Sequence, residues 1–336
     1  MRYTRRELGK LAMSALPAAA FLKSPFEVAA QTAKPNSVIA GVHLGTITYS
    51  YRSMPDQSAE AMLRYIVDSG ISEIELMGGP VESFAGAPQT PPVGGGGGRG
   101  RPSTSLRAGG RGETRTPEQQ AAQRAAAEKL KAWRTSVSMN RFKALRKMYN
   151  DAGVKIYAWK QMNPNMSDEE MEYIFNVAEA LGCTHTTLEL VTDPAQLKRI
   201  GDFAMKKKIY AAYHTHTQAT MTAFDQAFAV SKGNMSNIDL GHYVAGTGES
   251  PIPFLEKFHD RISSVHLKDR TTPANGAKNL PWGTGDTPIK EILQTVKKAR
   301  WTFPLSIELE YDVPQGSNAV KQVRKCLDYC RAALSS

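Results

Sequence analysis

The chain has 336 residues, 41% of them hydrophobic and 22% charged, with a net charge of +10 and three cysteines. This length buries a core without disulfide staples, and three cysteines cannot close a disulfide framework. No run approaches the roughly 18–20 consecutive apolar residues of a membrane span. The charge is uneven: residues 1–30 carry +3 and residues 86–117 carry +4, which leaves +3 on the rest. The body therefore lacks the concentrated basic surface that tracks nucleic acid.

In chain order, Thr4-Arg5-Arg6-Glu7-Leu8-Gly9-Lys10 and the weakly apolar run that follows resemble a twin-arginine export signal, with small residues before a cut at Gln31. The expectation is a signal peptide over 1–30, read by the twin-arginine translocase, and a mature protein in the periplasm or secreted, without stable membrane anchoring. Val38 to Thr48 is β-rich, Ser58 to Asp68 has helical spacing and stops at Gly70, and Ile71 to Met77 reads as a strand. Residues 86–117 hold Gly94 to Gly98, Arg–Gly steps and five prolines. Such a segment has too little apolar surface to offset its ordering entropy, so it reads as a disordered insertion within the domain. It lacks the interleaved aromatic residues of an RNA-binding tract.

A long helical stretch follows from Glu118 to Asp151, with a break near Thr135. Strands are expected at Val154–Trp159, Thr184–Leu190, Ile209–His214, Ser236–Leu240, Ile262–Leu267 and Pro304–Leu309, each followed by a helix. Short apolar strands alternating with amphipathic helices argue for a parallel sheet covered by helices. Eight such pairs from Val38 to Leu334 favour a closed (β/α)8 TIM barrel over an open doubly wound sheet. No phosphate-cradling glycine motif supports nucleotide binding.

Active groups of such a barrel sit where strands end. Strand four ends at Glu189, strand five at His214 and His216, strand six at Asp239 and His242, strand seven at His266, Lys268 and Asp269, and strand eight at Glu308 and Glu310. Residues i and i+2 share a face of a strand, so these side chains can converge. A lone buried histidine is more often a hydrogen-bonded core residue than a ligand. Several adjacent strand ends with acids and imidazoles instead point to one divalent metal ion, held among Glu189, His214, Asp239, His266 and Glu308; the ligand set leaves Mn, Zn, Co, Fe and Mg open. Glu308, His216, His242 and Lys268 are the acid/base or oxyanion candidates. His43, Glu75, Trp159, Lys160 and Asp269 are the expected substrate contacts, and His185 and His259 are set aside as non-catalytic.

With Asp-Leu-Gly-His at 239–242, His-Leu-Lys-Asp at 266–269, Pro-Trp-Gly-Thr-Gly-Asp at 281–286 and Ile-Glu-Leu-Glu-Tyr at 307–311, the chain resembles the xylose-isomerase-like barrels, also called sugar phosphate isomerases/epimerases. That family holds one metal with Glu, Asp, His and Glu from strands five to eight. Asp239, His266 and Glu308 match the last three, and His214 stands where the first glutamate is expected. The resemblance implies a metal-dependent isomerase or epimerase acting on an unphosphorylated sugar or keto-sugar through an enediolate-type step, with Trp282 over the sugar face. The His214 departure keeps a keto-sugar or inosose-type lyase or dehydratase as an alternative, and a non-catalytic carbohydrate-binding barrel as a second.

Overall fold

Residues 34–88 and 116–336 are described by the computed structural model, and Pro35–Ser336 form one compact unit. The expected export signal and the 89–115 part of the expected insertion lie outside the described residues. Among the described residues, no helix is long and apolar enough to cross a membrane.

Eight strands run parallel: β1 (Val42–Ile47), β2 (Glu73–Met77), β3 (Lys155–Lys160), β4 (His185–Glu189), β5 (Tyr210–His214), β6 (Asn234–Asp239), β7 (Ile262–Leu267) and β8 (Leu305–Ile307). Each pairs with its sequence neighbours, and β8 pairs back with β1, so the sheet closes into a (β/α)8 barrel. Residues 38–48 are not one strand. Ala40 and Gly41 both take positive φ (50° and 83°) and turn Val38–Ile39 back as a short antiparallel hairpin on β1.

Several helices begin where the sequence offers caps. α1 (Ala59–Asp68) is capped by the Ser58 hydroxyl, α2 is the short segment Gly78–Phe84, and α3 (Pro117–Ser136) starts with a Thr116/Gln119 capping box. Pro117 therefore opens a helix rather than closing the insertion. The expected break separates α3 from α4 (Asn140–Asp151). The two flanks of the Gly/Arg-rich stretch are tied together by Glu82 of α2, which accepts from Arg134 Nε (2.8 Å) and the Tyr173 hydroxyl (3.0 Å). The outer layer continues with α5 (Asp168–Leu181), α6 (Pro194–Lys207), α7 (Asp225–Val230), α8 (Leu240–Thr247), α9 (Ile252–Phe258), α10 (Ile289–Ala299) and α11 (Ala319–Ser335). Cys183, Cys326 and Cys330 are free and buried.

Strand alternation divides the core. Outward residues such as Trp159, Val265 and Leu267 pack in the apolar layer beneath the helices. Inward residues are largely polar: Glu75, His185, Thr187, Asn237, Ser264 and His266 are all fully buried. Burying such groups costs several kcal/mol unless hydrogen bonds replace the lost water. Here they bond one another, as in Thr187 Oγ1 donating to Glu75 Oε1 at 2.6 Å. That polar lining carries the functional groups up to the strand ends.

Candidate metal centre at the barrel mouth

His214 ends β5, Asp239 ends β6, His266 lies one residue from the end of β7 and Glu308 follows β8. Adjacent parallel strands in register bring these positions together; Asp239 is paired with His266 across β6 and β7. One ligand atom from each of the four buried side chains lies within 4.8 Å of the others.

Each member is held by a partner beneath or beside it. Asp239 is the N-cap of α8: its Oδ1 accepts the His242 backbone N–H at 2.7 Å, while its buried Oδ2 faces the Lys268 ammonium at 2.8 Å. His266 lies between two carboxylates, with Nδ1 3.0 Å from Glu308 Oε2 and Nε2 2.9 Å from Glu75 Oε2. His214 Nδ1 is 2.9 Å from Asn237 Oδ1, which leaves its other ring nitrogen free.

The electrostatics follow from this crowding. Burial opposes charge on His266, but Glu308 and Glu75 outweigh it and raise its pKa to about 10. Burial pushes Asp239 up to about 6 against the pull of Lys268. Burial also works against ionised Glu308, yet Lys268 and His266 hold it well below the usual carboxylate range. His214 is driven well below the ordinary histidine value by burial and by the Lys160 charge, so it stays neutral. Lys268 donates to Glu310 Oε2 (2.7 Å) and stands at ion-pair distance from Glu308 Oε2 (2.7 Å) and Asp239 Oδ2 (2.8 Å). These carboxylates overcome its burial and raise its pKa.

Two buried imidazoles and two buried carboxylates whose ligand atoms converge fit a divalent cation with mixed nitrogen and oxygen ligands. Glu75, 2.9 Å behind His266 Nε2, would supply the carboxylate that orients that imidazole as a ligand. A second, more exposed trio, Glu189, His214 and His216, shares His214 with this group.

Several expected site residues are placed differently. Glu189 is outside the group of four; it is half exposed, with Lys160 at 2.7 Å and His216 Nδ1 at 3.4 Å. Glu75 is fully buried under His266 and cannot be a substrate contact. His43 sits near the start of β1, at the opposite end of the barrel from the mouth, and pairs with Glu73 at 3.0 Å. Trp159 points outward, edge-on to the Tyr173 ring, and forms no sugar-facing wall. Trp282 meets Tyr329 of α11 edge-on at 6.0 Å, so it packs on the outer layer. Asp269 anchors the 281–286 loop: its Oδ2 accepts from the backbone N–H of Gly283, Thr284 and Gly285. Lys160 and His216 do reach the mouth, where the His216 ring lies 5.1 Å from His214 and 5.0 Å from His242. His242 rides on the first turn of α8 rather than on a strand, and Arg270 donates to its Nδ1. Burial and the nearby Lys268 and Arg270 charges keep it neutral.

Sequence reasoning missed Asn237 and Arg270. Asn237 lies two residues before Asp239 on the same strand face, a spacing that marks it as a neighbour of the site. Arg270 gives no such signal, because it follows β7 in a two-stranded ribbon, Asp269–Arg270 with Asn279–Leu280.

A closed eight-stranded barrel with a cluster of potential metal ligands at its strand ends is a (β/α)8 architecture with its candidate site at the mouth. Residues 143–332 match the xylose isomerase-like TIM barrel family, and the chain belongs to it. An inosose dehydratase from Clostridium botulinum is 35% identical over 160 residues, 41% of this chain and 53% of that protein. The chain spans about half the length of the curated relatives it matches. A solved sugar phosphate isomerase/epimerase from Parabacteroides distasonis shares the fold at 17% identity, with a TM-score of 0.54 over 88% of this chain and 98% of that one. A xylose isomerase-like barrel from Mycobacterium smegmatis, solved with magnesium, does so at 15% identity, with a TM-score of 0.52 over 88% and 98%.

Proposed function

We propose that the protein is a divalent-metal-dependent isomerase or epimerase that moves a proton next to the carbonyl of an unphosphorylated sugar or keto-sugar. The observation that carries this reading is the buried His214–Asp239–His266–Glu308 group, whose ligand atoms lie within 4.8 Å of one another. These four residues would hold the ion. A bound divalent ion supplies Lewis acidity, which polarises a carbonyl and acidifies the neighbouring C–H.

The remaining work falls to the side chains around the group. His216 has Glu189 beside its Nδ1 at 3.4 Å, and Lys160 fixes that carboxylate from the other side at 2.7 Å. This triad presents the far nitrogen of a half-exposed imidazole at the mouth, the geometry of a general base. Lys268, kept cationic by its three carboxylates, is placed to stabilise negative charge on a substrate oxygen. His242 receives a hydrogen bond from Arg270 at Nδ1, so its proton sits on Nε2, which is a donor to the mouth.

A second reading is dehydration of a keto-polyol. It is favoured by the inosose dehydratase relatives and by His214 standing at the end of β5, where a second carboxylate would otherwise serve as the partner base. Proton NMR of candidate keto-sugars in D₂O separates the readings. Deuterium at carbon with the formula retained supports isomerisation or epimerisation, and loss of water supports dehydration. No change with any keto-sugar in the presence of Mn²⁺ overturns both. We further propose export by the twin-arginine translocase. A mature N-terminus at Gln31 is the expected result of sequencing the exported protein, and an intact Met1 would refute it.

A further inference from the structure

His185 begins β4, is fully buried, and lies deep in the barrel, away from the strand ends that form the mouth. Its Nδ1 is 2.9 Å from Thr184 Oγ1 and its Nε2 is 2.9 Å from Ser264 Oγ on β7, across the interior. Ser264 Oγ in turn accepts from Asn237 Nδ2 at 2.6 Å, and Asn237 Oδ1 is 2.9 Å from His214 Nδ1. At the other end, Thr184 Oγ1 donates to the Tyr157 carbonyl at 3.2 Å. Five hydrogen bonds thus run unbroken from a main-chain carbonyl to a candidate ligand.

The direction of every bond follows from the carbonyl, which can only accept. Thr184 spends its one hydroxyl hydrogen on Tyr157, so it must accept from His185 Nδ1–H. Burial lowers the His185 pKa to about 4, so the ring is neutral near pH 7 and Nε2 carries a lone pair. That lone pair takes the Ser264 hydroxyl hydrogen, and Ser264 is left to accept from the Asn237 amide nitrogen. The amide oxygen then faces His214 Nδ1, which must donate.

We propose that this chain locks His214 as the Nδ1–H tautomer, with His185 as the remote positioning residue, so that the imidazole offers only Nε2 to the mouth. The purpose assigned to that lone pair rests on the metal reading above; the lock itself does not. One consequence is stoichiometric. A single lone pair serves either the group of four or the trio with Glu189 and His216, so His214 supports one ion and not two.

The test uses metal-free protein with ¹⁵N-labelled histidine, where long-range proton–nitrogen correlations report which ring nitrogen is protonated. His214→Gln identifies the His214 ring among the seven histidines. In wild type, His214 should read Nδ1–H. In His185→Leu, Ser264 loses its acceptor and turns its hydrogen to Asn237 Oδ1; the amide flips and His214 should convert to Nε2–H. Calorimetric titration with Mn²⁺ should then show affinity about 10–100-fold weaker, the usual loss for an outer partner of a ligating histidine. His185→Gln, whose Oε1 can accept from Ser264, should restore both readings. An unchanged His214 tautomer in His185→Leu, or a loss as large in His185→Gln, overturns the proposal. Ser264→Ala gives the same readout if the leucine variant does not fold, and should mix the two tautomers. If wild type binds no Mn²⁺, the metal reading fails while the ring-shift test still decides the lock.

Discussion

Metal uptake should expel protons in a number that the site's own acidities set. With its pKa raised to about 10, the metal-free His266 ring is doubly protonated near neutral pH, whereas ligation needs a lone pair on Nδ1. Glu308 is already ionised and Lys268 stays charged, so neither contributes. Binding should therefore release about one proton per ion between about pH 7 and 9, and the Kd should fall about tenfold per pH unit. Asp239, pushed up to about 6, adds a second proton in more acidic solution, which steepens the dependence below that value. The count is obtained by calorimetry of Mn²⁺ into chelator-stripped protein, in buffers of different ionisation enthalpy. Glu75→Gln keeps an acceptor for His266 Nε2–H but removes one of the two carboxylates that hold the extra proton. It should cut the proton count near neutral pH and flatten the pH dependence. A pH-independent Kd, or no net proton release near pH 7.5 in wild type, would refute the assignment of His266 as a protonated ligand in waiting.

Three further outcomes separate the site from its scaffold. Asp269→Ala strips the acceptor from three consecutive loop amides and should cost about 2–3 kcal/mol in urea denaturation; a change below about 1 kcal/mol would return Asp269 to the list of substrate contacts. Trp159→Ala should destabilise the fold by about 3–5 kcal/mol and leave Mn²⁺ affinity of the folded protein unchanged. His43→Ala breaks a partly exposed pair with Glu73 and should cost no more than about 1 kcal/mol, with turnover unaltered; a large drop in turnover would contradict its place at the closed end of the barrel.

The barrel was legible because its local signals agree with its global form: short apolar strands, the amphipathic helices between them and the stop of α1 at Gly70 (φ 81°) all fall where alternation demands. The acids and imidazoles at strand ends were legible for the same reason, since the period of two puts Glu308 with Glu310 and His214 with His216 on shared faces. Direction along the strand was the weak point. His43 and Glu75 have the right parity, yet one lies near the bottom of its strand and the other a layer below the ligands. Trp159 failed on parity itself, because a residue next to an inward lysine points outward. Loop residues were least legible. Nothing in Pro-Trp-Gly-Thr-Gly-Asp says that the loop folds back onto Asp269 and turns Trp282 toward Tyr329. Those placements come from long-range packing, which leaves no period in the sequence.

Lys268 binds these arguments together, because its ammonium stands among the oxygens that a metal would need. It is 2.7 Å from Glu308 Oε2 and 2.8 Å from Asp239 Oδ2, both on candidate ligands, and 2.7 Å from Glu310, which is not one. Without a cation, three crowded carboxylates would repel one another in a buried site, so the lysine serves as their internal counter-charge. A divalent ion on Glu308 and Asp239 must therefore push the ammonium back toward Glu310, the one carboxylate that stays available to it. Repulsion between such charges a few Å apart is worth several kcal/mol even at an effective dielectric of about 20. Lys268→Met should then bind Mn²⁺ at least about tenfold more tightly than wild type, equivalent to about 1.4 kcal/mol. Its metal-free form should melt at lower temperature, because the carboxylates lose their partner. Weaker Mn²⁺ binding in Lys268→Met would mean that lysine and ion do not compete, and would place the ion away from Asp239 and Glu308.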